Sequence, residues 1–174
     1  MTFNDCVSLD ITLSGSISFS GRIDVNNLEF LQISMTFTSL TGDDGVESIT
    51  ISGTLNIDFS DSTLSMLMNF VARDNTTGDV VMLEDYSVVA VDQVAEASIS
   101  ISGKFYEPTH GFGVITTTVP LQILYSENFP YAGQFTLAGD NSSLRVTAIN
   151  SLQYTLEVDE DGDGSYDITT TEDW

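Results

Sequence analysis

Basic side chains are scarce in this chain of 174 residues. Four lysines and arginines stand against 26 aspartates and glutamates, which gives a formal net charge of −22. Nucleic acids and anionic membrane surfaces are both bound through clustered basic residues. The sequence therefore predicts no nucleic-acid partner and disfavours anionic membranes. Bound divalent cations or high salt would relieve the self-repulsion, and a saline habitat explains the same acidity equally well.

Cysteine and long apolar runs are also nearly absent. The single Cys6 permits no internal disulfide. No run approaches the 18 or so apolar residues that a membrane-spanning helix needs, so no transmembrane segment is expected. The stretch Met1–Asp5 has neither the basic nor the apolar region of a signal peptide. Residence outside the cytoplasm is therefore inferred indirectly, from the candidate calcium loop described below.

Groups that could carry out catalysis are equally few. His110 is the only histidine, and its neighbours Pro108 and Gly111 indicate an exposed turn. Neither a nucleophile elbow nor a glycine-rich phosphate loop occurs. Glycosidase chemistry needs two carboxylates at a set separation, and the many acidic residues nominate no particular pair. The sequence predicts a protein that is not an enzyme.

Alternation of apolar and polar residues is the dominant pattern. From Val7 to Ile23 apolar residues take odd positions, and the runs Ile49–Phe59 and Leu64–Ala72 repeat this around a short turn. Turn signals recur about every 8 to 12 residues. We predict one all-β domain, residues 1–174, with about 10–12 mostly antiparallel strands in meander order. It forms either a sandwich or an open, highly curved, half-barrel-like sheet.

A short motif recurs at Ile11–Gly15, Ile49–Gly53 and Ile99–Gly103, each with alternating isoleucine or leucine and a final Ser-Gly. Its unequal spacing argues against a solenoid or propeller. We interpret it as recurrent strand chemistry. The first strand-like run is unusually long, so Gly15 or Gly21 is expected to mark a bend or bulge.

An acidic, glycine-containing loop lies between the last two predicted strands, inside a hairpin at 152–171. It has oxygen-bearing side chains at alternate positions and a glycine at the sixth, which suits the flexible oxygen shell of Ca²⁺. Gly164 takes that sixth position. The candidate ligands are Asp159, Asp161, Asp163, Ser165 and Asp167.

The loop Asp159–Asp167 resembles the calcium loops of EF-hand, dockerin and thrombospondin type 3 modules. It departs from the EF-hand at position 12, where Thr170 replaces the bidentate glutamate, although Glu172 follows nearby. More loosely, the last part of the chain is similar to the ends of uncharacterised secreted bacterial lipoproteins. The likeness rests on Tyr131–Gly133, Val158–Gly164 and a terminal Thr/Trp segment ending in Trp174. It implies a cell-surface or periplasmic location and no known reaction.

These patterns favour a non-catalytic, exported surface, structural or adhesion-type module with a structural calcium ion. Such a module would bind a surface partner or self-associate through exposed strand edges. Strand methionines (Met35, Met66, Met68 and Met82) support an alternative, a periplasmic carrier of a lipid or other apolar ligand. A carbohydrate-binding module rests on fold analogy alone, with Trp174 and the tyrosines as candidate stacking platforms.

Overall fold

The computed structural model covers residues 1–174 and contains twelve strands and no helix. The strands are β1 (Thr2–Ser8), β2 (Ile11–Asp24), β3 (Glu29–Asp43), β4 (Ser48–Ser60), β5 (Thr63–Asp74), β6 (Val80–Asp92), β7 (Glu96–Glu107), β8 (Gly111–Leu124), β9 (Ala132–Ala138), β10 (Ser143–Asn150), β11 (Gln153–Asp159) and β12 (Ile168–Asp173).

All twelve strands belong to one antiparallel sheet, in which spatial order equals chain order. The sheet is not closed into a barrel, so β1 and β12 are its edges. The predicted hairpin around Ser60–Ser62 is confirmed by the register of β4 and β5, where Ile57 lies opposite Met66. The predicted all-β meander is confirmed as well, in its single-sheet, open form.

Alternation separates the sheet into an apolar and a polar face, because neighbouring side chains along a strand point to opposite sides. We define the apolar face by four cross-strand rows that contain no charged residue. They are Ile17, Phe37, Gly53, Phe70, Leu83, Phe105 and Gly113; Phe19, Met35, Leu55, Met68 and Tyr86; Ile33, Ile57, Met66, Val88 and Ile101; and Phe59, Leu64, Ala90, Ile99 and Leu121.

The opposite face is mainly polar, although one row on it, formed by Val71, Met82, Tyr106 and Phe112, is apolar. One continuous row on it crosses eleven strands and includes a single apolar side chain, Leu67. The row is Ser20, Ser34, Asn56, Leu67, Ser87, Ser102, Thr116, Thr136, Arg145, Glu157 and Thr169. Two neighbouring pairs in the row bond to each other: Ser34 Oγ donates to Asn56 Oδ1 at 2.8 Å, and Arg145 donates to Glu157. Such a face needs no second layer, because its polar groups are satisfied by each other and by water.

A line of bulges and glycines crosses the sheet from β1 to β9 and bends it. The glycine that ends each copy of the recurrent motif lies on this line with positive φ, at 105° for Gly15, 143° for Gly53 and 138° for Gly103. A Cβ on Gly53 would lie 2.0 Å from the carbonyl oxygen of Asn69. The bend predicted at Gly15 or Gly21 therefore occurs at Gly15. The motif thus marks the points where backbones of adjacent strands approach too closely for any side chain.

Burial is confined to one end of this sheet. Only six residues are buried, and all of them lie beyond residue 112: Gly113, Leu121, Pro130, Val146, Ala148 and Asp159. Around them the β8–β9 loop, Tyr125–Tyr131, and the C-terminal Trp174 fold against the sheet. Phe129 stacks on Trp174 with ring centroids 5.9 Å apart, and Trp174 packs at 4.6 Å on Tyr154. The rest of the apolar face has no second layer above it.

Candidate functional site

The acidic loop connects β11 to β12 at the covered end of the sheet. The ladder closes with Val158 opposite Ile168, so the hairpin strands lie within one or two residues of the predicted bounds. Backbone bonds then hold the loop: Asp167 N donates to Val158 O at 2.8 Å, and Glu160 N donates to Asp167 Oδ2 at 3.0 Å. Gly162 and Gly164 supply the positive φ angles, 74° and 89°, that this tight path requires.

Asp159 is the only buried carboxylate of the loop. Its exposed fraction is 3%. Its Oδ1 accepts the Gly162 N–H at 2.7 Å and its Oδ2 accepts the Gly164 N–H at 3.1 Å. Both glycine amides therefore point into the loop and fold it around the first candidate ligand. A buried carboxylate is tolerated when its oxygens accept hydrogen bonds in this way.

Three of the five predicted ligands converge. Asp159, Asp161 and Asp167 each offer a carboxylate oxygen, and these atoms lie within 4.8 Å of one another. Asp163 is not in this group, and its Oδ1 instead accepts the backbone N–H of Ser165 at 2.7 Å. Three hard oxygen donors at this separation suit a divalent cation of the calcium type. The same three charges repel one another when no cation is bound.

The position-12 ligand of an EF-hand has no counterpart in the loop. Glu172, the sequence candidate for this role, lies opposite Tyr154, four residues along the strand from the end of the ladder at Ile168. Thr170 lies opposite Leu156 on the same strand. The loop therefore holds its carboxylates only within Asp159–Asp167. A shell of so few protein oxygens predicts weak binding, in the range of about 10⁻⁴ to 10⁻³ M.

An ion pair supports the strand that carries the loop. Arg145 on β10 donates Nε and Nη2 to the two carboxylate oxygens of Glu157 on β11, at 2.6 and 2.5 Å. The guanidinium also lies over the ring of Tyr166, 4.4 Å from its centroid. The Arg145 hydrogen bond lowers the pKa of Glu157, and Glu157 raises the pKa of Arg145 in return. This interaction supports the register of β10 against β11 from the polar face.

The apolar face carries a cleft near the loop. A cavity of about 350 Å³ is lined by residues of five successive strands, from Phe105 on β7 to Val158 on β11. Glu107 and His110 line it as well. The His110 side chain is 85% exposed, and its Nδ1 lies 2.6 Å from the Glu107 carboxylate, in the turn that the sequence predicted.

The strand methionines divide between the faces. Met35, Met66 and Met68 lie on the apolar face, where Leu55 separates Met35 from Met68 in one row. Met82 lies opposite Val71 on the polar side. Trp174, a candidate stacking platform for sugars, is engaged by Phe129 and Tyr154. Sequence reasoning missed this aromatic cluster because its members are far apart in the chain, and only the fold of the β8–β9 loop brings them together.

No protein-family model, curated protein or solved structure matches this chain. The structure contains no helix long and apolar enough to cross a membrane.

Proposed function

We propose that the chain is a non-catalytic structural module of the cell surface or periplasm, which acts by associating through its sheet. One observation carries this proposal. The accessible surface is 10,719 Å², whereas a compact monomer of 18.9 kDa exposes about 8,300 Å². The excess, about 2,400 Å², fits an apolar face with no second layer. Sheets with one apolar face are stable when another layer covers it.

The test is the mass of the protein in solution. Sedimentation velocity over a wide range of concentration is expected to show association, and added salt is expected to strengthen it because the net charge of −22 repels. The same runs are repeated with calcium and with chelator. Association that requires calcium depends on the acidic loop, whereas association that persists in chelator depends on the sheet. A monomer under all of these conditions would contradict the proposal.

A carrier of apolar ligands is the alternative, and the three methionines on the apolar face favour it. Methionine side chains adapt to ligands of varied shape, and the cleft of about 350 Å³ lies on the same face. This reading expects lipid to accompany the purified protein. Solvent extraction followed by mass spectrometry detects such a ligand, and protein free of any apolar molecule counts against the carrier.

We also propose that the acidic loop binds a structural Ca²⁺, held by Asp159, Asp161 and Asp167. Their oxygens converge within 4.8 Å, and a bound divalent ion offsets the repulsion between them. A weak site is filled only where calcium is abundant, which supports residence outside the cytoplasm. Free calcium at about a hundred times the dissociation constant should raise the free energy of unfolding by about 2.7 kcal/mol.

The calcium proposal is tested by thermal melts in millimolar calcium and in chelator. The wild-type melt is expected to shift upward with calcium, and the double variant Asp161→Ala/Asp167→Ala, which removes two of the three converging carboxylates, is expected to lose the shift. Asp43→Ala/Asp44→Ala is the matched control, because it removes the same charge from another acidic turn. If the control keeps the same calcium-dependent shift as the wild type, the effect belongs to the Asp159–Asp167 loop. If the shift survives in Asp161→Ala/Asp167→Ala, calcium binds elsewhere.

A further inference from the structure

We propose that two copies of the chain pack their apolar faces together about a two-fold axis, so that each sheet supplies the layer that the other lacks. This inference rests on the proposed function, because it names the surface and the partner through which the module associates. The product is a two-layer sandwich built from two chains. Residues of β2–β7 form the contact, since the β8–β12 end of the face carries its own covering loop.

The composition of the face is that of a dimer core. Its four rows run from Ile17 to Leu121 without a charged residue. None of its residues on β2–β7 is buried, and some are well exposed, with 55% of Phe19 and 38% of Phe59 accessible. Obligate homodimer interfaces resemble a domain core cut in half. This face has that character across six strands.

The excess accessible surface of the chain also matches the area that a homodimer buries. Obligate homodimers bury about 2,000 to 5,000 Å² in total, or about 1,000 to 2,500 Å² per copy. The excess surface of this chain, about 2,400 Å², lies within that range. One acyl chain covers much less: each methylene accounts for about 30 Å², so an 18-carbon chain covers roughly 550 Å². Several lipid chains would be needed where one second copy suffices.

The edges of the sheet are poor alternatives. The edge strands β1 and β12 have 7 and 6 residues, whereas β2–β8 have between 12 and 15. The register of β1 breaks between Phe3 and Cys6, and β12 ends in Glu172 and Asp173. Short length, a bulge and charge are the features by which natural sheets prevent edge-to-edge pairing. Association through the face avoids these obstacles.

The experiment compares Phe59→Lys with Leu67→Lys by sedimentation equilibrium. Phe59 lies on the apolar face and Leu67 on the polar face, with exposed fractions of 38% and 39%, so both variants add the same charge at matched exposure. Phe59→Lys is expected to raise the dimer dissociation constant at least tenfold. Leu67→Lys is expected to leave it within about threefold. The edge variants Val7→Lys and Thr170→Lys are expected to have as little effect as Leu67→Lys.

A labelling measurement keeps the test decisive if Phe59→Lys fails to fold. In a Cys6→Ser background, maleimide labelling of Phe59→Cys is expected to slow as the protein concentration rises through the dissociation constant. Labelling of Leu67→Cys is expected to stay constant. Association without protection of Phe59→Cys, or association lost only in the edge variants, overturns the face-to-face dimer and leaves the proposed function standing. A wild-type monomer overturns both, and co-purified lipid on that monomer identifies the carrier instead.

Discussion

The two ends of this sheet are made of the same alternating strands, yet only one has an interior. From β8 to β12, the loop Tyr125–Tyr131 and Trp174 fold back, and all six buried residues lie there. From β1 to β7 no residue is buried, and the covering loop touches these strands at the β6–β7 turn, where Tyr125 donates to Asp92 and Tyr131 to Glu96. The alternation of apolar and polar residues along the strands therefore produces an apolar face. A separate segment is needed to cover that face.

The open region depends on backbone geometry, which Gly53→Ala tests most severely. The new Cβ would meet the Asn69 carbonyl oxygen at 2.0 Å, at a φ of 143°. It would also lie 2.8 Å from the Phe70 Cα. We expect a loss of about 4 kcal/mol in unfolding free energy, from overpacking and backbone strain together. Urea titration followed by circular dichroism measures it.

Gly45→Ala is the control for that variant. Gly45 also has positive φ, at 85°, but a Cβ there meets no atom within 4 Å. Only backbone strain applies, so the expected loss is about 1 kcal/mol. Equal losses for both glycines would show that the close approach at Gly53 is relieved by small shifts, and the bend would then be softer than the structure indicates.

Leucine truncation compares the covered and open regions directly. Leu121 is 8% exposed, and Leu64 belongs to the same cross-strand row on the open side, where it is half-buried. At low protein concentration we expect Leu121→Ala to cost about 3 kcal/mol and Leu64→Ala about 1 kcal/mol. Denaturant unfolding measures both.

Repeating both leucine measurements at several protein concentrations tests whether a second copy covers the open face. If the open face is covered by a second copy, the cost of Leu64→Ala rises with concentration, because unfolding then also breaks the dimer. The cost of Leu121→Ala stays constant. Similar costs for both leucines at every concentration would remove the distinction between the two ends of the sheet.

Removing one partner of an ion pair is expected to change the unfolding free energy least. We expect Arg145→Met to lower the unfolding free energy by about 1 kcal/mol at pH 7, since the bidentate pair with Glu157 is largely shielded. Lys104→Met breaks the more exposed pair with Glu84 and is expected to cost less than about 0.5 kcal/mol. The measurement is chemical unfolding of both variants and the wild type.

The pH dependence of the Arg145 effect follows from the lowered pKa of Glu157. A carboxyl whose pKa is lower in the folded state contributes stability above its unfolded value, about 4.3. That contribution is lost as the pH falls through the folded value. The difference between wild type and Arg145→Met is therefore expected to shrink below pH 4 or so. A difference that is constant down to pH 2 or so would assign the effect to packing on Tyr166 instead.

Much of the fold was predictable because alternation and turn residues are local signals. Fold class, meander order, the hairpin of β4 and β5 and a bend at Gly15 or Gly21 follow from them, and the structure selects Gly15. What covers the apolar face is not encoded by alternation, so the sequence could not separate a sandwich from an open sheet. Ser39 and Asp85 also take positive φ on the bend line, a conformation that is uncommon for any residue other than glycine.

The candidate site was predictable in part for a similar reason. The spacing of Asp159, Asp161 and Asp167 and the two loop glycines specify a turn that brings these carboxylates together. Spacing could not show that Asp163 would bond to the Ser165 N–H. Nor could it reveal that β12 carries Glu172 away from the loop, because that depends on the register of the hairpin.

Strictly sequential strand order has a consequence for cooperativity. Every strand pairs only with its chain neighbours, so stability spreads from hairpin to hairpin as in a linear array, with no contact that ties the first strand to the last. Such an array frays from its ends, and amide hydrogens of β1 and β12 should exchange before those of the central strands. A chain built in this way can gain or lose a hairpin without rearranging the others. The number of strands can therefore change more easily than in a closed barrel, where the first and last strands must also pair.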